Sequence, residues 1–254
     1  MKTPNSRLNA LVSPDMKMAE VVHLNYNLVT VFNRFGIKLG FGEKTVEEVC
    51  RTYQVNLDFF LAMANVFHDP EYFPRQQLQK FSVDLLVNYL RSSHRHYLED
   101  RFPQFERLMG QLSREAGHDA AHLGLLWAFL NEYRDELTVH MRQEEELIFP
   151  YIAAVERACL DGAAPEILVG QVRRQPMQKY SHEHDDAERK LLDMKNIVIK
   201  YMPPPQRDML YNQLLFELFR FEKDLKDHAR IEDKVLVPKV MELEKALLAA
   251  AEAH

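Results

Sequence analysis

The chain has 254 residues, of which 46% are hydrophobic and 28% charged, with a formal net charge of −6. That length holds one large domain or two small ones, with apolar residues enough for a sizeable core. The acidic balance argues against a binder of nucleic acid or anionic membranes, and no stretch approaches the ~20 apolar residues of a spanning helix.

In chain order, the first seventy residues read as a small helical unit. Asp15 is placed to cap a helix running through Val21, Val22, Leu28, Val29 and Phe32. Gly36, Gly40 and Gly42 then mark a turn. Thr45-Val46-Glu47-Glu48 has the form of a capping box and opens a helix to about Tyr53. A further helix is expected from Leu57 to Phe67, and Pro70 and Pro74 bracket a connector. Beyond it lie four long helical stretches, at about 76–112, 118–158, 165–201 and 205 to the alanine-rich tail. Pro103, Pro150, Pro176 and Pro238 fall inside these patterns, so kinks or breaks are expected there. The chain carries only 8 glycines and shows no competing strand pattern. The expected fold is all-α: a small helical N-terminal domain over 1–73, then an up-down-up-down four-helix bundle over 74–254.

One phrase occurs twice. Residues 140–150 read His-Met-Arg-Gln-Glu-Glu-Glu-Leu-Ile-Phe-Pro, and residues 228–238 read His-Ala-Arg-Ile-Glu-Asp-Lys-Val-Leu-Val-Pro. Both reduce to His-x3-Glu-acid-x2-aliphatic-x-Pro. Residues four apart lie on one helix face, so His140 with Glu144, and His228 with Glu232, can each grip a metal from one helix. Nitrogen and carboxylate ligands on facing helices are how bundles hold paired iron or manganese.

The chain holds five His-x3-acid pairs, the others being His96/Asp100, His182/Asp186 and His184/Glu188. An ion pair on a solvated face is the plain reading of any one of them, and we adopt it for His96/Asp100 and His182/Asp186. The two halves of the chain sharpen the pattern. His94 precedes His140 by 46 residues and His184 precedes His228 by 44, so each half offers a histidine on one helix and His-x3-Glu on the next. His94 follows Leu90 on an apolar stripe, and His184 is in phase with Met177 and Leu191. Each has a rival two residues away, His96 and His182, which points to the opposite side. Leu137, Met141, Leu147 and Ile148, with Leu225, Ile231, Val235 and Leu236, set the motifs near the apolar face, where polar groups are costly unless paired or metal-bound. The candidate ligands are therefore His94, His140, Glu144, His184, His228 and Glu232. They suffice for two irons, each with two imidazoles, bridged by Glu144 and Glu232. Glu188 is a substitute carboxylate, and His118 sits at a helix start.

At these residues the chain resembles the hemerythrin-like repair-of-iron-centres (RIC) family, of the ScdA and DnrN type. His94 precedes Phe102-Pro103 as the family's first ligand precedes its Leu-Pro pair. The block His140 to Pro150 matches the family's His-Met-x-Lys-Glu-Glu-x-x-Leu-Phe-Pro. Pro176-Met177 leads to Glu183-His184-Asp185, and His228 to Asp233 corresponds to the last block. The resemblance spans nearly the whole chain. It implies a non-haem di-iron site, two iron ions with oxo and carboxylate bridges, held by the six residues above, with His118 close by. It further implies a cytoplasmic protein of the nitrosative and oxidative stress response that handles NO or O2-derived molecules or serves iron–sulfur client proteins. No nucleic acid or membrane is expected as a partner, and a homodimer is the assembly considered.

One block departs from the family. Gly-Ile-Asp-Phe-Cys-Cys-Gly-Gly is here Gly36-Ile37-Lys38-Leu39-Gly40-Phe41-Gly42-Glu43, so the cysteine pair is replaced by Gly40-Phe41. The role of those thiols cannot be carried over. Cys50 and Cys159 match no zinc or redox motif, and their sparing use fits a reducing compartment. The start, Met1 to Arg7, is not followed by an apolar run of signal-peptide length. The N-terminal unit is then structural, or docks a partner through Phe35, Leu39 and Phe41. A sensor or carrier without turnover is the alternative function. A DNA reader is disfavoured, because the helix Leu57 to Val66 carries no Lys or Arg to meet phosphates.

Overall fold

The computed structural model of the protein describes residues 10–115, 120–180, 184–202 and 208–252. The backbone groups into two units, residues 1–92 and 93–254. Among the described residues there is no strand, and the isolated bridge between Lys17 and Thr45 is the one extended pairing.

The first unit contains α1 (Met18–Leu24), α2 (Leu28–Arg34), α3 (Val46–Thr52), α4 (Leu57–His68) and α5 (Arg75–Leu78). The capping box forms as expected: Glu48 N donates to Thr45 Oγ1 at 3.2 Å and Thr45 N to Glu48 Oε2 at 2.8 Å. Asn56 caps α4 by accepting from Phe59 N at 2.9 Å. The single helix expected from Asp15 to Phe32 is instead two. Asn25 turns extended, at φ −154°, and its Oδ1 accepts from Asn27 N at 3.1 Å. Such a local side-chain bond offers the backbone an alternative to helix. Asp15 caps nothing; it accepts from the Ser13 hydroxyl at 2.6 Å, and Lys17 stands at the head of α1.

Phe32, Phe59 and Phe60 form the centre of this unit. Phe35 packs on Phe59, Phe60 and Tyr89 with ring centroids 5.3–5.7 Å apart. Phe41 meets Phe32 edge-on at 5.9 Å. Of the three side chains considered for docking a partner, two are thus already engaged in ring contacts, while Leu39 is 67% exposed. Gly36, Gly40 and Gly42 all take positive φ. At Gly40 φ is +102°, a value that a residue with a Cβ rarely adopts. Cys50 is buried, and burial pushes its thiol up to about 11.

The boundary between the units falls within α6 (Val83–Arg95). The rest of the chain forms α7 (Phe102–Glu115), α8 (Ala120–Gln143), α9 (Phe149–Leu160), α10 (Glu166–Arg174), α11 (His184–Asn196), α12 (Asp208–Ile231) and α13 (Val237–Glu252). In the second unit α7 packs on α8, α8 on α11, α11 on α12 and α12 on α7. This closed ring of four, in chain order, is a four-helix bundle. Its core includes Phe102, Phe105, Tyr133, Leu218 and Phe221. At one end α13 packs against α9 and α10.

Pro103, Pro150 and Pro238 do not break their helices. A π-helical turn precedes each of them, at His96–Arg101, Glu144–Ile148 and Glu232–Leu236. Proline has no N–H for the carbonyl four residues back, and its ring crowds that carbonyl. A wider i to i+5 step hands the carbonyl to the next N–H and makes room for the ring. Pro176 does end a helix: α10 stops at Arg174, and a 3₁₀ turn spans Met177–Tyr180. Buried Glu244 of α13 ties this break down, accepting from Met177 N at 2.9 Å and from the Tyr151 hydroxyl.

Candidate metal centre

Three bundle helices converge at the level of their π-helical turns. His94 lies two residues before one such turn, while Glu144 and Glu232 are the first residues of two others. Such turns recur at functional sites, because an added residue re-aims the side chains around it. His94, Glu144, His228 and Glu232 are all buried, and each offers a ligand atom within 4.8 Å of the other three.

The contacts inside the cluster are short and directed at common points. His94 Nε2 is 3.3 Å from His228 Nε2. His228 Nε2 is 3.1 Å from Glu232 Oε1. Glu144 faces two histidines at once, with Oε1 3.1 Å from His140 Nε2 and Oε2 3.2 Å from His94 Nε2. The Oε2 contact lies outside hydrogen-bonding geometry. Nitrogen ligands sit about 2.1 Å from a first-row ion, which sets two neighbouring ligands on one ion roughly 3 Å apart. The spacing of His94, His228 and Glu144 suits that requirement. Two carboxylates buried beside each other are costly, and a cation offsets that cost. The residues present therefore fit a metal ion.

Among the expected ligands, the structure brings His94, Glu144, His228 and Glu232 into one cluster. His140 joins it through Glu144 and is 22% exposed at its side chain. The side chains of His184 and Glu188, and all of His118 and His182, lie outside the described residues. His96 pairs with Asp100 at 2.8 Å, the expected i,i+4 pair, but the His96 side chain is 11% exposed rather than on a solvated face. Of the flanking residues, Leu137, Met141, Ile231, Val235 and Leu236 are buried, but Leu147 is 63% exposed. The wide turn that begins at Glu144 carries it off the apolar stripe that a regular helix would continue.

Some neighbours of the site were not read from the sequence. Phe149 stacks on His94 with ring centroids 5.7 Å apart and planes 13° apart. Tyr97 meets His228 edge-on at 5.7 Å and donates to the Asp224 carbonyl at 3.3 Å. Glu145 Oε1 lies 3.0 Å from His94 Nδ1. The signal for Glu145 was present, since the repeated phrase has an acid directly after its glutamate.

Burial tends to lower the pKa of His94, but contact with Glu144 and the charge of Glu232 outweigh it, and the value lies above the ordinary 6.5. Burial and Glu232 tend to raise that of Glu144, but His140 and His94 outweigh them and hold it below the ordinary 4.5. In the metal-free protein, Glu144 thus contributes stability above its unfolded value that is lost as pH falls through its lower folded value. His94 contributes stability below its unfolded value that is lost as pH rises through its higher folded value. The pair helps most between about pH 4.5 and 6.5. Urea denaturation of metal-free protein from pH 4 to 9 is expected to show this contribution peaking in that window relative to Glu144→Gln. A difference between the two proteins that does not vary with pH contradicts the assignment.

The hemerythrin HHE cation binding domain model matches residues 85–240, more than half of the chain, and takes in every residue of the cluster. The chain belongs to the hemerythrin HHE cation-binding family. Its hemerythrin-type domain has relatives named as iron-sulfur cluster repair proteins. ScdA of Staphylococcus haemolyticus is 21% identical over 232 residues, 90% of this chain and 99% of the relative. DnrN of Neisseria gonorrhoeae is 24% identical over 161 residues, 63% of this chain and 90% of the relative. YtfE of Musicola paradisiaca is 28% identical over 107 residues, 42% of each protein. These relatives bear out the resemblance to the repair-of-iron-centres family. No helix among the described residues is long and apolar enough to cross a membrane.

Proposed function

We propose that this is a non-haem di-iron protein of the nitrosative and oxidative stress response, acting in the cytoplasm in iron–sulfur cluster repair or NO handling. The observation that carries the proposal is the buried convergence of His94, Glu144, His228 and Glu232. In this reading His94 and His228 serve one iron, and His140, with His184, the other. Glu144 and Glu232 would be the carboxylates shared between them; the two histidine contacts of Glu144, one on each oxygen, support that role. Six protein ligands leave positions open on two irons, and the pair supplies small-molecule binding or releasable iron. The chain's own part is to exclude water with Phe149, Tyr97 and the core beneath them, and to hold imidazoles and carboxylates in place before metal arrives. The iron–sulfur proteins served by its relatives are the proposed clients. The metal-binding part is proposed as residues 74–254, with 1–73 as an accessory helical domain. A cut at the contact boundary would sever α6, which carries His94.

A specific observation favours the second reading, a sensor or carrier without turnover. The cysteine pair is replaced by Gly40-Phe41, and the thiol of Cys50 is buried with a pKa far above neutral. Anaerobic stopped-flow mixing of iron-loaded protein with excess NO, with headspace analysis, separates the two. With an added electron donor such as reduced flavin, nitrous oxide over several turnovers, one for every two electrons drawn from the donor, is the result expected of NO reduction. A stable nitrosyl with no nitrous oxide assigns the carrier or sensor role. Absence of any iron-dependent spectral change contradicts both.

A further inference from the structure

We propose that Glu145 is a positioning residue of the metal centre, holding the His94 ring so that Nε2 faces the ion. This rests on the di-iron reading above. The two ring nitrogens of His94 have different partners. Nε2 faces Glu144 and His228, at 3.2 and 3.3 Å, while Nδ1 faces Glu145 Oε1 at 3.0 Å. A carboxylate at Nδ1 accepts the ring N–H and so fixes the tautomer with the Nε2 lone pair free. Phe149 stacks parallel on the same ring, so tilt and rotation are both held, and His94 itself is 1% exposed.

The local backbone explains how Glu145, at the rim of the site, reaches the His94 ring. On a regular helix, consecutive residues point about 100° apart, which sends the residue after an inward glutamate off to the side. Glu144–Ile148 is a π-helical turn, whose wider step narrows that angle and keeps Glu145 near the site face. Glu145 is 42% exposed at its side chain with Oε1 turned to the His94 ring, and Glu146, one residue further on, is exposed as well. The second copy of the phrase also has an acid directly after its glutamate, Asp233 after Glu232. The residue type is thus part of the repeated unit.

Glu145→Ala, Glu145→Gln and the control Glu146→Gln test this in the full-length protein. Metal-free protein is titrated anaerobically with Fe(II) against a competing chelator, and the midpoint potential of the reloaded centre is measured. Glu145→Ala is expected to bind one iron about 10- to 100-fold more weakly and to shift the potential upward, because the imidazole becomes a poorer electron donor. Glu145→Gln retains an acceptor for the N–H but not the charge. It is expected to keep near wild-type affinity and still shift the potential upward, which a merely structural role would not do. Should the alanine variant fail to fold, the potential of the glutamine variant decides. Wild-type affinity and potential in Glu145→Ala, or wild-type potential in Glu145→Gln, overturn the proposal while two bound irons keep the di-iron reading intact. A wild-type chain that takes up no iron overturns both.

Discussion

His228→Ala and, separately, His140→Ala are expected to retain about one iron per chain or fewer where the wild type retains two, while His96→Ala retains both. The three substitutions remove the same side chain from a histidine that has an acid four residues later, so composition and local helix pairing are matched. Only the surroundings differ. His228 is buried, with Nε2 within 3.3 Å of His94 and 3.1 Å of Glu232. His140 meets the Glu144 oxygen that His94 does not. His96 faces Asp100 outside the cluster. On the proposed di-iron reading, each site variant removes one nitrogen ligand, and the two removals fall on different irons. Because metal binds the folded state, chelation should also lower the melting temperature of the wild type and do less to the site variants. Metal analysis after gel filtration reads the first result and thermal melting with and without chelator the second. Full iron retention in either site variant contradicts the ligand assignment.

Phe221→Ala is expected to destabilise the metal-free bundle by about 3–5 kcal/mol. Phe221 is fully buried and lies at the crossing of α7, α8 and α12. Its ring centroid is 5.4 Å from Tyr97, 5.6 Å from Phe102, 5.5 Å from Phe105 and 6.4 Å from Tyr133. Truncation removes the transfer free energy of the ring and leaves a cavity lined by rigid aromatics that cannot collapse into it. The cavity also undercuts Tyr97, whose other edge supports His228. Phe216, on the same helix but 65% exposed, is the control, and Phe216→Ala is expected to change stability by no more than about 0.5 kcal/mol. Urea denaturation of the metal-free proteins provides the comparison. A Phe221→Ala midpoint equal to that of Phe216→Ala would show that the packing described does not hold the bundle together.

The sequence was most legible where one physical signal acted alone. The repeated His-x3-Glu phrase marks one helix face by spacing, and the structure gathers His94, Glu144, His228 and Glu232 from three helices. The Thr45–Glu48 capping box is a purely local device and formed as read. Legibility failed where two effects compete. Proline inside a helical pattern signals a break, yet at Pro103, Pro150 and Pro238 a wider turn absorbs the missing N–H. At Pro176, with no such turn beside it, the helix ends. The same widening exposes Leu147, which α-helical periodicity places inside, and brings Glu145 to His94. Asn25 shows a similar conflict in the first unit, where its side chain bonds locally and divides one expected helix into two. The surface considered for docking illustrates another limit, because exposure does not follow from a turn's composition: Phe35 packs on Phe59 and Phe60 while remaining half-buried, and Leu39 is exposed.

The central claim is that this bundle clasps a coupled pair of irons rather than one ion or none. A low-temperature Mössbauer spectrum with iron analysis, on protein purified from iron-replete cells and air-oxidised, tests it directly. Two irons per chain with a diamagnetic ground state, the mark of antiferromagnetic coupling through a shared bridge, is the result expected. A single iron, or two irons that remain magnetically independent, contradicts it.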